Sequence, residues 1–304
     1  MTDRVRRARR VQLSTPGSSE KMMQKASESK ADHVFLDLED AVAPSQKREA
    51  RKKIVQALKQ LNWTGKTRCV RINDLTTEYA FEDIIEVVEG AGEHLDTIMM
   101  TKVLTPADVL FADKLLHQLE KKLKLKRRIG LEALIEEVEG MQNVDAIARC
   151  TPRLECLVFG MGDFSASMGV TNKNVGESDG YPGDIWHYAR FRLVMACRAA
   201  GIDPVDGPFA DFKNPEAYRE ECRRSMILGC VGKWAIHPSQ IEHALEIYSP
   251  KPEDVARARR LEKAYAEAEA NGLGAINVDG IMVDVASIRI LRNTILNKAD
   301  LFGM

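Results

Sequence analysis

Short runs of apolar residues recur along the first 240 residues and are typical of buried parallel strands. Between them lie segments whose apolar positions repeat with the helical period. This alternation of strand and helix predicts a parallel sheet covered by helices. The eight predicted strands are Val11–Ser14, Val34–Leu38, Cys69–Ile72, Thr97–Met100, Ile129–Ile135, Cys156–Phe159, a weak one around Ile202–Val205, and Lys233–Ile236.

Eight strand–helix repeats favour a closed α/β barrel, the (β/α)8 TIM barrel, over an open doubly wound sheet. An open sheet would normally show Gly-x-Gly-x-x-Gly after its first strand, and this chain has no such turn. The helices predicted between the strands include Lys47–Leu61, Glu78–Val88, Ala107–Leu125, Met141–Arg149, Trp186–Ala199 and Pro215–Leu228.

The last fifty residues form a separate pattern. Proline and glycine mark the start and stop of a helix from about Glu253 to Asn271. We expect a loop over Asp279–Asp284 and a final helix over Val285–Lys298. The predicted organisation is a barrel over residues 1–250 that carries the metal and coenzyme A site. Residues 251–304 are then a C-terminal helical extension that acts as a lid and in oligomerisation.

Composition and charge exclude several classes of partner. The chain is 44% hydrophobic and 29% charged, with a net charge of −1, so no excess of positive charge attracts nucleic acid or an anionic membrane. Its six cysteines contain no Cys-x-x-Cys, which favours reduced thiols over disulfides. No apolar segment follows the arginine-rich start, so we expect no secretory signal and a cytoplasmic protein.

Candidate chemistry follows from the predicted strand ends. The reacting residues of an α/β barrel sit at the C-terminal ends of its strands, where the βα loops form one mouth. The polar residues that the sequence places there are Asp37, Glu39, Asp40, Arg71, Asn73, Lys102, Glu136, Glu137, Asp163 and His237.

Glu136 and Asp163 are the strongest candidates among these residues. They follow neighbouring strands, so both carboxylates can point into the same mouth, and two carboxylates with open positions suit Mg²⁺. The alternative is that each acid caps a following helix, because acids favour helix N-termini.

Arg71 ends the third strand, where a guanidinium could hold a carboxylate or stabilise a developing oxyanion. An ion pair with Asp37, Glu39 or Asp40 is the alternative, and the two roles are compatible. Such a run of acids is often a solvated loop, but the adjacent apolar strand argues against exposure here.

Two further features allow more than one interpretation. Ser14-Thr-Pro-Gly-Ser-Ser precedes a predicted helix, so its amides could meet a phosphate, although the same residues also form generic turns. His237 is either a ligand or a packed or capping residue.

Several motifs, in a matching order, resemble the citrate-lyase β-subunit-like branch of the HpcH/HpaI aldolase superfamily, in particular its malyl-CoA lyases. They cover about residues 10 to 300, and the longest is Phe35-Leu-Asp-Leu-Glu-Asp-Ala-Val-Ala-Pro. The others include Pro16-Gly-Ser-Ser, Val70-Arg-Ile-Asn, Ile135-Glu-Glu, Phe159-Gly-Met-Gly-Asp, Asp206-Gly-Pro-Phe-Ala-Asp-Phe, Lys233-Trp-Ala-Ile-His-Pro, Asp279-Gly and Val285-Ala-Ser-Ile-Arg.

The resemblance implies roles for individual residues. Glu136 and Asp163 would bind Mg²⁺, with Mn²⁺ as an alternative ion, and Arg71 would bind substrate. Asp284 would be the acid–base residue, contributed by a neighbouring subunit of a homotrimer or hexamer. Glu39 and Asp40 join Arg71 and Asp284 in the expected catalytic set. Contacts to coenzyme A or substrate are implied at Ser14, Ser19, Lys25, Gly162, Asp163, Ile236 and His237.

The implied reaction is reversible cleavage of a 3-hydroxyacyl-CoA, such as malyl-CoA or β-methylmalyl-CoA, to glyoxylate and acetyl-CoA or propionyl-CoA. Citramalyl-CoA cleavage to pyruvate and action on a carrier-bound substrate are the alternatives. A third alternative is hydrolysis after condensation, giving free malate. Two departures from the family pattern, Thr101-Lys102 and a short Thr171–Asp184 segment, leave the acyl-chain preference open.

Overall fold

The computed structural model describes residues 5–171, 175 and 183–304, and its contacts group them into two compact units, Met1–Glu246 and Ile247–Met304. The first unit contains eight parallel strands. They are β1 (Val11–Pro16), β2 (His33–Asp37), β3 (Thr67–Arg71), β4 (Thr97–Met100), β5 (Gly130–Ile135), β6 (Leu154–Phe159), β7 (Asp203–Val205) and β8 (Lys233–Ala235).

These strands form one sheet in the order β7-β6-β5-β4-β3-β2-β1-β8. A parallel bridge between Asp206 and Lys233 joins its two outer strands, and the amide of Trp234 donates to the carbonyl of Asp206 at 3.0 Å. The sheet is therefore a nearly closed barrel, and the predicted fold is confirmed.

Helices follow the strands and cover the sheet. They are α1 (Glu20–Glu28), α2 (Lys47–Gln60), α3 (Ala80–Ala91), α4 (Pro106–Leu123), α5 (Val138–Gln142), α6 (Val144–Arg149), α7 (Met161–Met168), α8 (His187–Ala200), α9 (Pro215–Leu228) and α10 (Ile241–Tyr248). The prediction of one helix over Met141–Arg149 was wrong, because α5 and α6 meet at Asn143. The Asn143 backbone leaves helical geometry there, and its side-chain amide donates to the carbonyl of Leu104 at 2.9 Å.

Apolar side chains fill the middle of the barrel. Leu134 of β5 packs there with Phe35, Met99 and Trp234, and all four are at most 6% exposed. Glu132 shares the face of Leu134 on β5, because side chains two residues apart on a strand point the same way, and Glu136 follows directly after the strand. Glu132 therefore lies towards the N-terminal ends of the strands, and Glu136 lies at the mouth.

The second unit contains helices and a hairpin. Its elements are α11 (Pro252–Ala270), β9 (Ala275–Val278), β10 (Ile281–Asp284), α12 (Val285–Leu291), a π turn (Arg292–Leu296) and α13 (Asn297–Leu301). Leu261, Tyr265 and Val283 form its buried core.

The expected loop over Asp279–Asp284 was wrong, because these residues form the turn and second strand of an antiparallel hairpin. Asp279 and Gly280 both have positive φ, 53° and 79°, which a tight hairpin turn requires. The final helix begins at Val285 as predicted but is interrupted by the π turn.

Across the described residues, we find no helix with both the length and the apolar character needed to cross a bilayer.

Candidate active site

The side chains of Asp37 and Arg71 form a buried, two-pronged ion pair where β2 and β3 end. Arg71 Nε donates to Asp37 Oδ1 at 2.7 Å, and Arg71 Nη2 donates to Asp37 Oδ2 at 2.6 Å. The guanidinium also lies 5.6 Å from the ring centre of Phe35 and 5.4 Å from that of Trp234. These contacts fix the plane of the cation, because a bidentate carboxylate and two ring neighbours leave it little freedom to rotate.

Glu39 connects this pair to Lys102, which follows β4. Its Oε2 lies 3.0 Å from Arg71 Nη1, and its Oε1 accepts a hydrogen bond of 2.6 Å from Lys102 Nζ. Asp40 is exposed and forms none of the ion pairs found among the described residues. The expected pairing of Arg71 with the acidic run is thus made by Asp37 and Glu39, and Asp40 takes no part in it.

Glu136 is a buried carboxylate with few partners. It is 3% exposed, and its Oε1 accepts a hydrogen bond of 2.8 Å from the backbone amide of Lys102. Burial raises the pKa of Glu136 to about 8, and the negative charge of Asp163 adds to the shift against the opposing effects of Lys102 and Arg71. Glu136 does not cap the helix that follows it, so the capping alternative is wrong for this residue.

Space for the Glu136 carboxylate depends on Gly160. A Cβ at this glycine would lie 2.5 Å from both Cβ and Oε2 of Glu136. Gly160 also precedes α7, which carries Asp163 in its first turn. Asp163 is half-buried, and its carboxylate forms no hydrogen bond or ion pair with the residues that the structure describes.

The mouth has an excess of negative charge. Five carboxylates face three cations there, so full ionisation leaves a charge of −2. The carboxylates are Asp37, Glu39, Asp40, Glu136 and Asp163, and the cations are Lys47, Arg71 and Lys102. A divalent ion that prefers oxygen ligands would balance this charge, and Glu136 and Asp163 have carboxylate oxygens left to bind it. The donor set therefore fits Mg²⁺.

A second group of candidate metal ligands lies inside the barrel and has a different character. His33, Cys69 and Glu132 bring their ligand atoms within 4.8 Å of one another. However, Glu132 already accepts hydrogen bonds from Gln12, His33 and Thr97, and pairs with Arg9. Because the oxygens of Glu132 already have hydrogen-bond partners, this group is a buried polar network that supports the fold.

The expected coenzyme A contacts lie mainly at the ends of β1 and β8, which are paired neighbours. Ser14 is half-buried, Ser19 caps α1 with its hydroxyl, and Lys25 is exposed in the last turn of that helix. Ile236 is 39% exposed after β8. Gly162 lies in the first turn of α7, directly before Asp163. Most of the Thr171–Asp184 segment lies outside the described residues.

His237 follows Ile236 and acts as a cap. Its Nδ1 accepts a hydrogen bond from the Ser239 amide at 3.2 Å, and its ring stacks on Phe212 at 4.5 Å. The capping and packing interpretation of His237 is therefore confirmed, while a contact with coenzyme A stays a prediction.

Asp284 lies in the second unit and caps α12. Its Oδ1 accepts hydrogen bonds from the amide and the hydroxyl of Ser287, at 2.8 and 2.9 Å. These two bonds lower the pKa of Asp284 below its ordinary value, so the carboxylate is ionised at neutral pH.

Two contributors to the mouth had no assigned role in the sequence. Lys102 was placed at the mouth only by its position after a strand, and Gly160 only formed part of the motif Phe159-Gly-Met-Gly-Asp. The signal for Gly160 was present, since a glycine between a strand and an acid allows a close approach of another side chain.

The fold, the residues at the mouth and the relatives described below together define an enzyme of the carbon–carbon lyase class. Residues 10–238 match the HpcH/HpaI aldolase/citrate lyase family. The chain belongs to that family. It is 42% identical to an L-malyl-CoA/β-methylmalyl-CoA lyase of Rhodobacter capsulatus, over 93% of this chain and 92% of that protein.

Two further relatives are more distant. A mitochondrial citramalyl-CoA lyase of Homo sapiens is 32% identical, over 94% of this chain and 84% of that protein. The structure of protein CitE from Mycobacterium tuberculosis, in complex with magnesium, acetoacetate and coenzyme A, is 28% identical. It superposes with a TM-score of 0.74, covering 95% of this chain and 97% of that one.

Proposed function

We propose that this protein reversibly cleaves malyl-CoA and β-methylmalyl-CoA to glyoxylate and acetyl-CoA or propionyl-CoA, with Mg²⁺ bound by Glu136 and Asp163. The observation that carries the proposal is the buried carboxylate of Glu136, which accepts one hydrogen bond and is close enough to Asp163 to be affected by its charge. Arg71, fixed by Asp37 and Glu39, lies at the same mouth. The relative at 42% identity supports this choice of substrates.

Arg71 is the residue proposed to stabilise the developing oxyanion. Two of its five N–H bonds are donated to Asp37, and Nη1 forms an ion pair with Glu39, which leaves N–H bonds of both terminal nitrogens for a substrate oxygen. Because the guanidinium is already oriented, it can stabilise the enolate oxygen that develops on the thioester without reorganising during the reaction. The chemistry that Mg²⁺ supplies when bound is Lewis-acid polarisation of the hydroxyl and carboxylate oxygens of the acyl group.

Asp284 is the proposed acid–base residue. In the condensing direction its ionised carboxylate accepts a methyl proton of acetyl-CoA, and the carbanion electrons form the new bond to the carbonyl carbon of glyoxylate. The carbonyl π electrons move to the oxygen, which takes a proton from water. In the cleaving direction the hydroxyl gives its proton to water, the same carbon–carbon bond breaks, and protonated Asp284 gives its proton to the enolate carbon. Asp284 is ionised at neutral pH and can therefore begin as a base, while its lowered pKa makes it a weaker base than an ordinary carboxylate.

We further propose that the protein works as a homotrimer or hexamer in which Asp284 of one subunit serves a neighbouring barrel. Size-exclusion chromatography with light scattering tests the assembly. Mixing an Asp284→Asn variant with an Arg71→Lys variant tests the sharing. Recovery of activity in the mixture would support it, whereas two inactive parents that stay inactive when mixed would reject it.

The second candidate function is citramalyl-CoA lyase, which the human relative favours. Citramalyl-CoA differs from malyl-CoA by one methyl group, and such a group changes binding by only about 1–3 kcal/mol. The two activities therefore have to be separated by measurement.

The first experiment offers malyl-CoA, β-methylmalyl-CoA and citramalyl-CoA separately to purified protein with Mg²⁺ or Mn²⁺ and detects glyoxylate or pyruvate. We expect glyoxylate from the first two thioesters, and loss of product when a chelator is added. Pyruvate from citramalyl-CoA alone would favour the second candidate. Absence of product from all three would reject an independent lyase.

A further inference from the structure

Lys102 has an unusual backbone conformation for its residue type. Its φ is +49°, in the left-handed region that side chains other than glycine, asparagine and aspartate rarely adopt. The residue follows β4 directly after Thr101, whose hydroxyl donates to the carbonyl of Ile72. Tertiary contacts must therefore stabilise the bend at Lys102, since its local sequence does not favour it.

The bend directs the amide of Lys102 towards Glu136. This N–H donates to Glu136 Oε1 at 2.8 Å, whereas Oε2 faces the space left by Gly160. One carboxylate oxygen is thus held by the backbone and the other is left for a ligand. The peptide plane that carries this N–H is oriented by ψ at Thr101 together with φ at Lys102. A change in φ at Lys102, with the chain on either side held in place, would therefore rotate the donor away from the carboxylate.

The ammonium of Lys102 makes a separate connection. Its Nζ is 2.6 Å from Glu39 Oε1, and Glu39 Oε2 is 3.0 Å from Arg71. The Lys102 side chain is 26% exposed, so it lies at the rim of the mouth with its charged end turned to buried Glu39. Lys47 donates only to the backbone carbonyl of Glu39, so without Lys102 the Glu39 carboxylate would keep Arg71 as its one ion-pair partner among the described residues and would draw the guanidinium out of its bidentate geometry with Asp37.

We infer that Lys102 is a positioning residue with two separable actions: its backbone amide orients Glu136 for the metal, and its ammonium, through Glu39, holds Arg71 in place. This inference rests on the proposed function and deepens it. It assigns a role to a residue that contacts neither the reacting atoms nor the metal itself.

Two substitutions separate the actions. Lys102→Gly keeps the left-handed backbone and removes the ammonium, because glycine adopts positive φ freely. Lys102→Val removes the ammonium and also disfavours the bend, because a β-branched residue is strained at positive φ. Lys124, at φ +55° on the exposed end of α4, offers a matched control. Lys124→Gly and Lys124→Val make the same backbone changes away from the mouth.

The first measurement is Mg²⁺ and Mn²⁺ binding to the full-length protein by calorimetry, which needs no substrate. We expect Lys102→Val to weaken metal binding about 10-fold or more, as loss of a group that orients a ligand does. Lys102→Gly and both Lys124 variants should bind metal within about 2-fold of the unmodified protein. Equal weakening by Lys102→Gly and Lys102→Val, or weakening by neither, would overturn the backbone action.

The second measurement is steady-state cleavage. We expect Lys102→Gly to lower kcat about 10-fold with little change in KM, because a loosened Arg71 loses stabilisation mainly in the transition state. Lys102→Arg, which keeps the cation, should recover most of kcat. Unchanged kcat in Lys102→Gly, or no recovery in Lys102→Arg, would overturn the side-chain action. If the unmodified protein cleaved none of the three thioesters, the proposed function would fail, while the binding data would still decide the backbone action.

Discussion

Glu136 should make the metal-free protein lose stability as the pH rises. Its pKa is about 8 in the folded chain, and its ordinary value is 4.5. Between these two values the folded chain keeps a proton that the unfolded chain releases, so the free energy of unfolding falls by about 1.4 kcal/mol per pH unit. From pH 4.5 to pH 7 the loss is on the order of 3 kcal/mol, and it ceases above pH 8.

Glu136→Gln tests this reasoning directly. The amide oxygen can still accept the hydrogen bond from the Lys102 backbone, but no buried charge can form. In a chelator at pH 7 the variant should therefore be more stable than the unmodified protein, with Tm higher by roughly 5 °C. The neighbouring half-buried Glu137, changed to Gln, should leave the pH dependence as it was.

Mg²⁺ should reverse the order of stability. A metal that binds only the folded chain stabilises it by about 2.7 kcal/mol at 100 times its Kd and by about 4.1 kcal/mol at 1,000 times its Kd, so the order reverses at the higher concentration. The unmodified protein should gain this stabilisation and Glu136→Gln should not, while cleavage activity should be lost in the variant. Thermal unfolding from pH 5 to 8.5, with chelator or with Mg²⁺, measures both effects. A Glu136→Gln variant less stable than the unmodified protein in chelator at pH 7 would refute the reasoning.

Three more outcomes can be checked. Gly160→Ala should lower kcat about 100-fold in steady-state assays, because its methyl group overlaps Glu136. Gly274→Ala, whose added methyl group meets nothing within 4 Å, should leave kcat unchanged. Asp284→Asn should lower kcat about 100-fold or more without changing the Mg²⁺ affinity measured by calorimetry. Arg190→Met removes the buried guanidinium from Asp184 and Glu221 and leaves Asp206 with Lys233 alone, and it should cost about 3–5 kcal/mol in thermal unfolding. An unchanged Tm would contradict this account of the ion pairs.

The strands could be predicted because a strand buried on both faces is a continuous apolar run. Even the weak signal around Ile202–Val205 corresponds to a real strand of three residues. Errors arose where polar residues set the local geometry. Asn143 divides what was predicted as one helix. Asp279-Gly280 forms the turn of a hairpin that was predicted as a loop, although Asp-Gly is a strong hairpin signal.

The site could be predicted in part, because the ends of parallel strands meet at one end of a barrel. That rule placed Arg71 and Glu136 correctly, and the structure brings them into one connected group. The partners could not be predicted. Nothing local to Asp40 distinguishes it from Glu39, and the left-handed bend at Lys102 depends on contacts with residues distant in the chain.

A comparison of Glu132 with Glu136 shows why the mouth is suited to a metal. Both are buried glutamates; Glu132 lies in β5, and Glu136 follows directly after it. Burial alone would raise the pKa of Glu132, but His33 and Arg9 offset the burial and leave it well below its ordinary value. Glu136 has no cation in direct contact, and the neighbouring Asp163 adds to its cost of ionisation. The barrel thus places cations against Glu132, which supports the fold, and none against Glu136 at the mouth, where a bound cation would make ionisation favourable at neutral pH.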